Sequence, residues 1–284
     1  MKTFMRVAAV LLLCCLPTVG FAADGFAAGT DLGDLGLCKE DGDTDQSARA
    51  CTAIIQAKKE TTANLAKAYN YRGRVYYLKD PKRALADFNE AVRLNPTNAW
   101  FFIRRANLYL GNLGLNDYDR ALADFTKVIE LRPDLGYNYR AGAYVRKGDY
   151  DRAVADYDQA VRLRPKDKLL LEYRADAYLG KKDFGGAIAA YDDLIKLDPT
   201  RAHSLQGRGY AYYEKGDYDR AIADYDQAIQ LQGTGLVFYY RGQAYAKTGN
   251  LNRAIADYDQ AIKIDPGFSA AVIARRNAQG LLKQ

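Results

Sequence analysis

Histidine is nearly absent from this chain: His203 is the one imidazole in 284 residues. A serine or cysteine nucleophile needing a histidine base would depend on it, yet no GxSxG phrase and no plausible thiol accompanies it. Walker-type and GxGxxG phosphate loops are missing too. No catalytic constellation remains, so neither an enzyme nor a bound cofactor is expected. Excess charge is also scarce. A net +6 over this length is too weak to imply nucleic acid, and no nucleic-acid partner is expected. Long apolar runs are confined to the amino terminus. There, Lys2 and Arg6 frame the start, VAAVLLLCCL follows, and GFAA supplies Gly20 and Ala22 as a small-residue pair.

That layout is a secretory signal peptide, assigned to residues 1–23, with cleavage after Ala22 or Ala23. Its apolar run is too short to span a bilayer comfortably. A lipid-anchored cysteine would need a small residue just before it, but Leu13 precedes Cys14 and Cys14 precedes Cys15. The mature chain is thus expected to be exported to a bacterial periplasm or the exterior, without stable membrane insertion. Only Cys38 and Cys51 survive cleavage, and two cysteines in an oxidising compartment are usually bridged. A Cys38–Cys51 disulfide is expected, and two isolated cysteines make no zinc site.

What the chain has in abundance is tyrosine, 23 of them, and one phrase repeated. DYDRALADF at 117–125 returns as DYDRAVADYDQAV at 149–161, DYDRAIADYDQAI at 217–229 and NLNRAIADYDQAI at 250–262. Aligned on their alanines (Ala84, Ala121, Ala153, Ala187, Ala221, Ala254), the copies recur about every 34 residues. Four residues on stands an aromatic: Phe88, Phe125, Tyr157, Tyr191, Tyr225 or Tyr258. Twelve on stands proline, with Gly233 as the exception. Upstream runs a small-residue column, Gly73, Ala106, Ala141, Ala175, Gly209 and Gly242, each followed three later by tyrosine. Spacings of three and four are helical, so each unit reads as helix, polar turn, helix, proline stop. One hairpin cannot bury its apolar face alone, so the units must stack. Tyrosine abundance is then mainly packing.

These columns resemble the tetratricopeptide repeat. The resemblance spans 64–266 in six units: 64–96, 97–133, 134–165, 166–199, 200–233 and 234–266. It implies an all-α, right-handed superhelical solenoid. Residues 24–63 read as an amino-terminal cap whose Cys51 falls in the aromatic column. Residues 267–284 read as a capping helix with Arg276 in the small column. The cap and the YRG-type repeats together resemble exported repeat proteins of alphaproteobacteria.

Members of this family bind protein segments on a concave face lined by first helices. Carried over by position, that lining comprises Asn70, Arg74 and Tyr77 in the first unit. Trp100, Ile103, Asn107 and Leu110 follow in the second, Asn138 in the third, and Glu172 and Asp176 in the fourth. His203, Gln206, Tyr210 and Tyr213 follow in the fifth, with Tyr239 and Gln243 in the sixth. The resemblance implies a non-catalytic scaffold for a protein or peptide. The alternative is a binder of envelope polysaccharide or peptidoglycan. That alternative would use an arginine column just before the small residues: Arg72, Arg105, Arg140, Arg174, Arg208 and Arg241. The competing reading pairs those arginines with Asp87, Asp124, Asp156, Asp224 and Asp257, where Ala190 breaks the series. The aspartates repeated in ADYDQA read more simply as a solvated helix face. DGDTDQ at 41–46 alternates aspartates as calcium loops do, but Gln46 replaces the needed glycine and Thr52 the acidic twelfth residue, so no metal is expected.

Overall fold

The computed structural model describes residues 36–38, 45–111 and 116–283; the expected leader and most of the 41–46 phrase lie outside them. Among the described residues, regular structure is helical throughout. A 3-10 turn at Gly36–Cys38 precedes fourteen α-helices. The chain divides into two compact units, one ending at Asp149 and the other beginning at Tyr150.

The first unit contains α1 (Asp45–Ala57), α2 (Thr62–Tyr76), α3 (Pro81–Leu94), α4 (Ala99–Leu110), α5 (Tyr118–Leu131) and α6 (Pro133–Lys147). The second contains α7 (Tyr150–Leu163), α8 (Lys168–Lys181), α9 (Phe184–Leu197), α10 (Ala202–Glu214) and α11 (Tyr218–Gln232). It ends with α12 (Gly235–Lys247), α13 (Leu251–Ile264) and α14 (Ser269–Leu281). Within each unit, helices adjacent in sequence pack on one another as antiparallel neighbours.

The repeated phrase sets these boundaries chemically. Asp80, Asp117, Asp183 and Asp217 each cap a second helix by accepting from the backbone N–H three residues on. Such caps typically contribute about 1 kcal/mol. At the other end of the turn, Gly148 adopts φ +80° and closes α6 with its own N–H on the Val145 carbonyl. Lys182 takes the same left-handed role after α8 at φ +62°, a conformation glycine adopts more cheaply.

The alanine and aromatic columns form the core as expected. Every anchor alanine is fully buried, and so is every aromatic four residues on. The glycines of the small column explain themselves: a methyl group at Gly73 would sit 2.7 Å from the Phe88 ring. At Gly242 it would sit 2.7 Å from Tyr258. The tyrosine column carries a second layer, because the arginine before the anchor alanine stacks on it. Arg83 lies 4.1 Å from the Tyr76 centroid, Arg220 4.5 Å from Tyr212 and Arg120 4.9 Å from Tyr109. Contacts of this kind are worth about 0.5–1 kcal/mol where exposed. In the fourth repeat Gly186 replaces that arginine, and the Tyr178 ring lies directly over it.

Cys38 and Cys51 form the expected disulfide, buried beside Ala68. Cys51 does occupy the place of a second-helix aromatic. Its neighbour Thr52 accepts from Arg72 on α2, the position Asn89 and Thr126 hold in later repeats. Asp45, the described acidic member of the calcium-like phrase, pairs with Lys79 at 2.9 Å.

Candidate functional site

The arginine column is spent inside the fold. Arg72, Arg105, Arg208 and Arg241 each donate Nε and Nη2 to both oxygens of Asp87, Asp124, Asp224 and Asp257, at 2.6–2.9 Å. These are fork-on-fork bonds to buried carboxylates, stronger and more directional than a lone ammonium would give. Surface-pair energies therefore do not apply: removing one partner would strand a buried charge. Burial pushes the Asp124 and Asp224 carboxyls upward despite their arginines. The hydrogen bonds that Arg208 donates to Asp224 hold its guanidinium firmly charged, and those to Asp257 do so for Arg241.

The third nitrogen, Nη1, reaches back to the preceding second helix. Its acceptors are Thr52, Asn89 and Thr126 in the first unit. They are Asp192, Asp226 and Asp259 in the second. Each arginine thus staples its own repeat to the one before. Of the ADYDQA aspartates, the first is the buried partner of its own repeat's arginine and not part of a solvated face, while the second stays partly exposed and, as Asp226 and Asp259, accepts from the next arginine. Where Ala190 breaks the series, Arg174 has no fork partner and leans on Asp193 at 3.3 Å and Asp158 at 3.9 Å.

The first-helix faces differ between the units. In the first unit, Ile103 is 2% and Leu110 6% exposed, both inside the core cluster that also takes in Ala66 of α2 and Ala143 of α6. They do not line an open surface, because both side chains are packed into that cluster. Trp100 packs half-buried against the same cluster. Tyr77 donates to the Asn107 carbonyl at 3.0 Å, tying α2 to α4. Asn70 is buried, whereas Arg74 and Asn138 are half-exposed.

In the second unit, the expected positions converge into one polar and aromatic cluster on α8, α10 and α12. Glu172 of α8 is ion-paired with Arg201, just ahead of α10. His203 Nε2 lies 3.5 Å from both Glu172 Oε1 and Asp176 Oδ1. Asp176 Oδ1 also accepts a short hydrogen bond from Tyr191 of α9, while its Oδ2 is buried and accepts nothing. Gln206, Tyr210 and Tyr213 continue the same stripe along α10 at spacings of three and four. Tyr210 packs against Tyr240, and Tyr213 edge-on against Tyr218. Tyr239 is mostly buried and accepts from the Gln243 amide at 2.8 Å. Burial, with Glu214 alongside, raises the Tyr210 phenol and pushes that of Tyr213 up to about 12, so both remain neutral donors. The sequence pattern does not single out Arg201. Its one signal is a cation placed opposite a carboxylate, Glu172, in the preceding repeat.

Among the described residues, no group of histidine, cysteine and acidic side chains could hold a metal, and no helix is long and apolar enough to cross a membrane.

No curated protein matches the chain. Among solved structures, a tetratricopeptide repeat protein from Parabacteroides merdae is similar at TM-score 0.55 and 18% identity, over 82% of this chain and 91% of that one. YrrB, described as a TPR protein with an unusual peptide-binding site, is similar at TM-score 0.54 and 24% identity, over 66% of this chain and 97% of its own. MamA from Desulfovibrio magneticus is similar at TM-score 0.53 and 22% identity, over 61% and 97%. At these identities the likenesses speak to fold alone. Profiles of the tetratricopeptide repeat match residues 66–98, 106–135, 139–202 and 207–267, more than half the chain in all. With the paired helices, buried alanine–aromatic columns and small-residue notches that define its repeats, the chain belongs to the tetratricopeptide repeat family.

Proposed function

We propose that this protein is an exported, non-catalytic scaffold that binds a partner protein or peptide on the first helices of its second unit. Tetratricopeptide repeat proteins generally mediate protein–protein interactions, and YrrB is described by its peptide-binding site. One observation carries the reading further. Glu172, Asp176, His203, Gln206, Tyr210 and Tyr213 share one face and lie outside the small, tyrosine, alanine and aromatic columns. Half-buried tyrosines with neutral hydroxyls beside polar groups are the composition of interface anchors. The envelope-polysaccharide alternative draws no support from the arginine column, whose guanidinium groups are occupied by aspartates, threonines and asparagine.

A photo-crosslinking residue placed at Tyr213 in the full chain, expressed in its bacterial envelope, should trap a discrete partner. The same residue at Gln227, exposed on α11, should not. An anchor tyrosine commonly contributes about 2 kcal/mol to binding, so Tyr213→Ala should reduce capture roughly thirtyfold with helicity retained. Capture from Gln227 but not from Tyr213 would place the interface on the second helices instead. Export is checked by the amino-terminal mass of envelope-purified protein, which should begin at residue 23 or 24.

A further inference from the structure

The cluster on α8 and α10 is unbalanced in a direction that describes its ligand. Of its two carboxylates, Glu172 is answered by Arg201. Asp176 is answered on Oδ1 alone, by the Tyr191 hydroxyl and at longer range by His203, while its buried Oδ2 has no hydrogen-bond donor. A buried charged oxygen left so is costly, and native structures rarely leave one without a purpose. Gln206 lies one turn from both His203 and Tyr210 on the same helix face and adds a mostly buried neutral amide to it.

Apart from His203, no cation on α10 faces Asp176. Arg208, the helix's arginine, is fully used by Asp192 and Asp224. Further along, Glu214 adds negative charge beside Tyr210 and Tyr213. The Tyr210 and Tyr213 rings themselves attract cations and accept an aliphatic stem.

We infer that this face selects a partner segment presenting a lysine or arginine side chain, its cationic head against Asp176 and Gln206 and its stem along Tyr210 and Tyr213. The inference rests on the protein-binding reading above and names the chemistry of the partner. A guanidinium or ammonium brings a full positive charge to the carboxylate of Asp176, and an acidic segment would be repelled by the same groups.

Selection of random linear dodecapeptides displayed on phage against the full chain tests it. Enriched peptides should share one arginine or lysine next to an apolar or aromatic residue. For a synthetic copy, replacing that basic residue by glutamine should weaken binding by about tenfold. Asp176→Asn, which keeps an oxygen for the Tyr191 hydroxyl, should cost the same factor. In combination the two changes should cost little more than either alone, the signature of direct contact. Gln206→Leu should weaken the basic peptide and leave its glutamine version unaffected, giving a second reading should Asp176→Asn alter the melting curve. Peptides that bind and are lost on Tyr213→Ala, yet carry no shared basic residue, would overturn this inference and leave the interaction face standing. A selection that enriches nothing would overturn both.

Discussion

The two units write the same repeat with different chemistry. Up to Asp149, the arginine column reaches back to neutral acceptors, Thr52, Asn89 and Thr126. From Tyr150 on, the acceptors with hydrogen bonds are carboxylates, Asp192, Asp226 and Asp259. The first-helix faces diverge in parallel. Ile103 and Leu110 are absorbed into the core of the first unit, while Glu172, Asp176, His203 and Gln206 gather in the second. The first unit therefore spends this face on cohesion. Both units hold arginine–aspartate forks, and the second leaves its first-helix face to polar side chains.

The strongest way to break that comparison is to remove an arginine. Arg208→Leu strands Asp224, a carboxylate buried between helices, and should cost about 3 kcal/mol or more in urea denaturation. Arg174→Leu, where Ala190 has already removed the fork partner, should cost under about 1 kcal/mol. Equal losses would mean that the bidentate pairs do not hold the second unit. The pH dependence carries a sign as well. Without Arg208 the Asp224 carboxyl titrates further above its unfolded value. The variant's deficit should then be full above the raised folded value and should shrink as pH falls toward the unfolded one.

Next in size is the disulfide of the first unit, which has no counterpart in the second. It closes a loop with a sequence separation of 13, and reduction should lower stability by about 3 kcal/mol on a chain-entropy estimate. Hydrogen exchange should place the loosening in α1 and α2. Intact mass after alkylation checks the bond itself: two free thiols in envelope-purified protein would refute it.

A smaller effect is expected from overfilling the notch of the fourth repeat. Ala175 is fully buried, and Ala175→Leu should cost about 2 kcal/mol through overpacking. Lys182→Gly, a few residues on, should act oppositely, stabilising by about 1 kcal/mol by relieving a left-handed side-chain-bearing residue. Matching melting shifts for the two would mean the helix register is misassigned.

The smallest effect sharpens the comparison most. Asp226→Asn converts a carboxylate acceptor of the second unit into the neutral type of the first. The site is 44% exposed, so the loss should stay under about 1 kcal/mol and fade in high salt. A loss above that would show that the carboxylate acceptors are needed and that Asn89 marks a weaker junction.

Much of this was readable from spacing. Alanine-to-aromatic intervals of four gave the core, the paired recurrence of arginine and aspartate gave the forks, and Cys51 in the aromatic column gave the cap register. What spacing could not give was anything decided across repeats. Ile103 and Leu110 occupy first-helix positions that suggest an open face, and packing into a cluster drawn from several helices buries them. Nη1 reaching back to a preceding helix is likewise invisible in one repeat. So is Arg201, whose partner lies 29 residues away.

The forks also say where the chain can change length. Arg105 and Asp124 stand 19 residues apart, against 16 for Arg208 and Asp224 and 15 for Arg72 and Asp87, yet the bonds have the same lengths. The difference falls between the end of α4 at Leu110 and the Asp117 cap, and the fork still closes as it does elsewhere. A repeat of this kind behaves as a clasp with a slack strap. Sequence inserted between a tyrosine and the next capping aspartate should leave the stack intact, and that turn is the natural place to graft an additional loop.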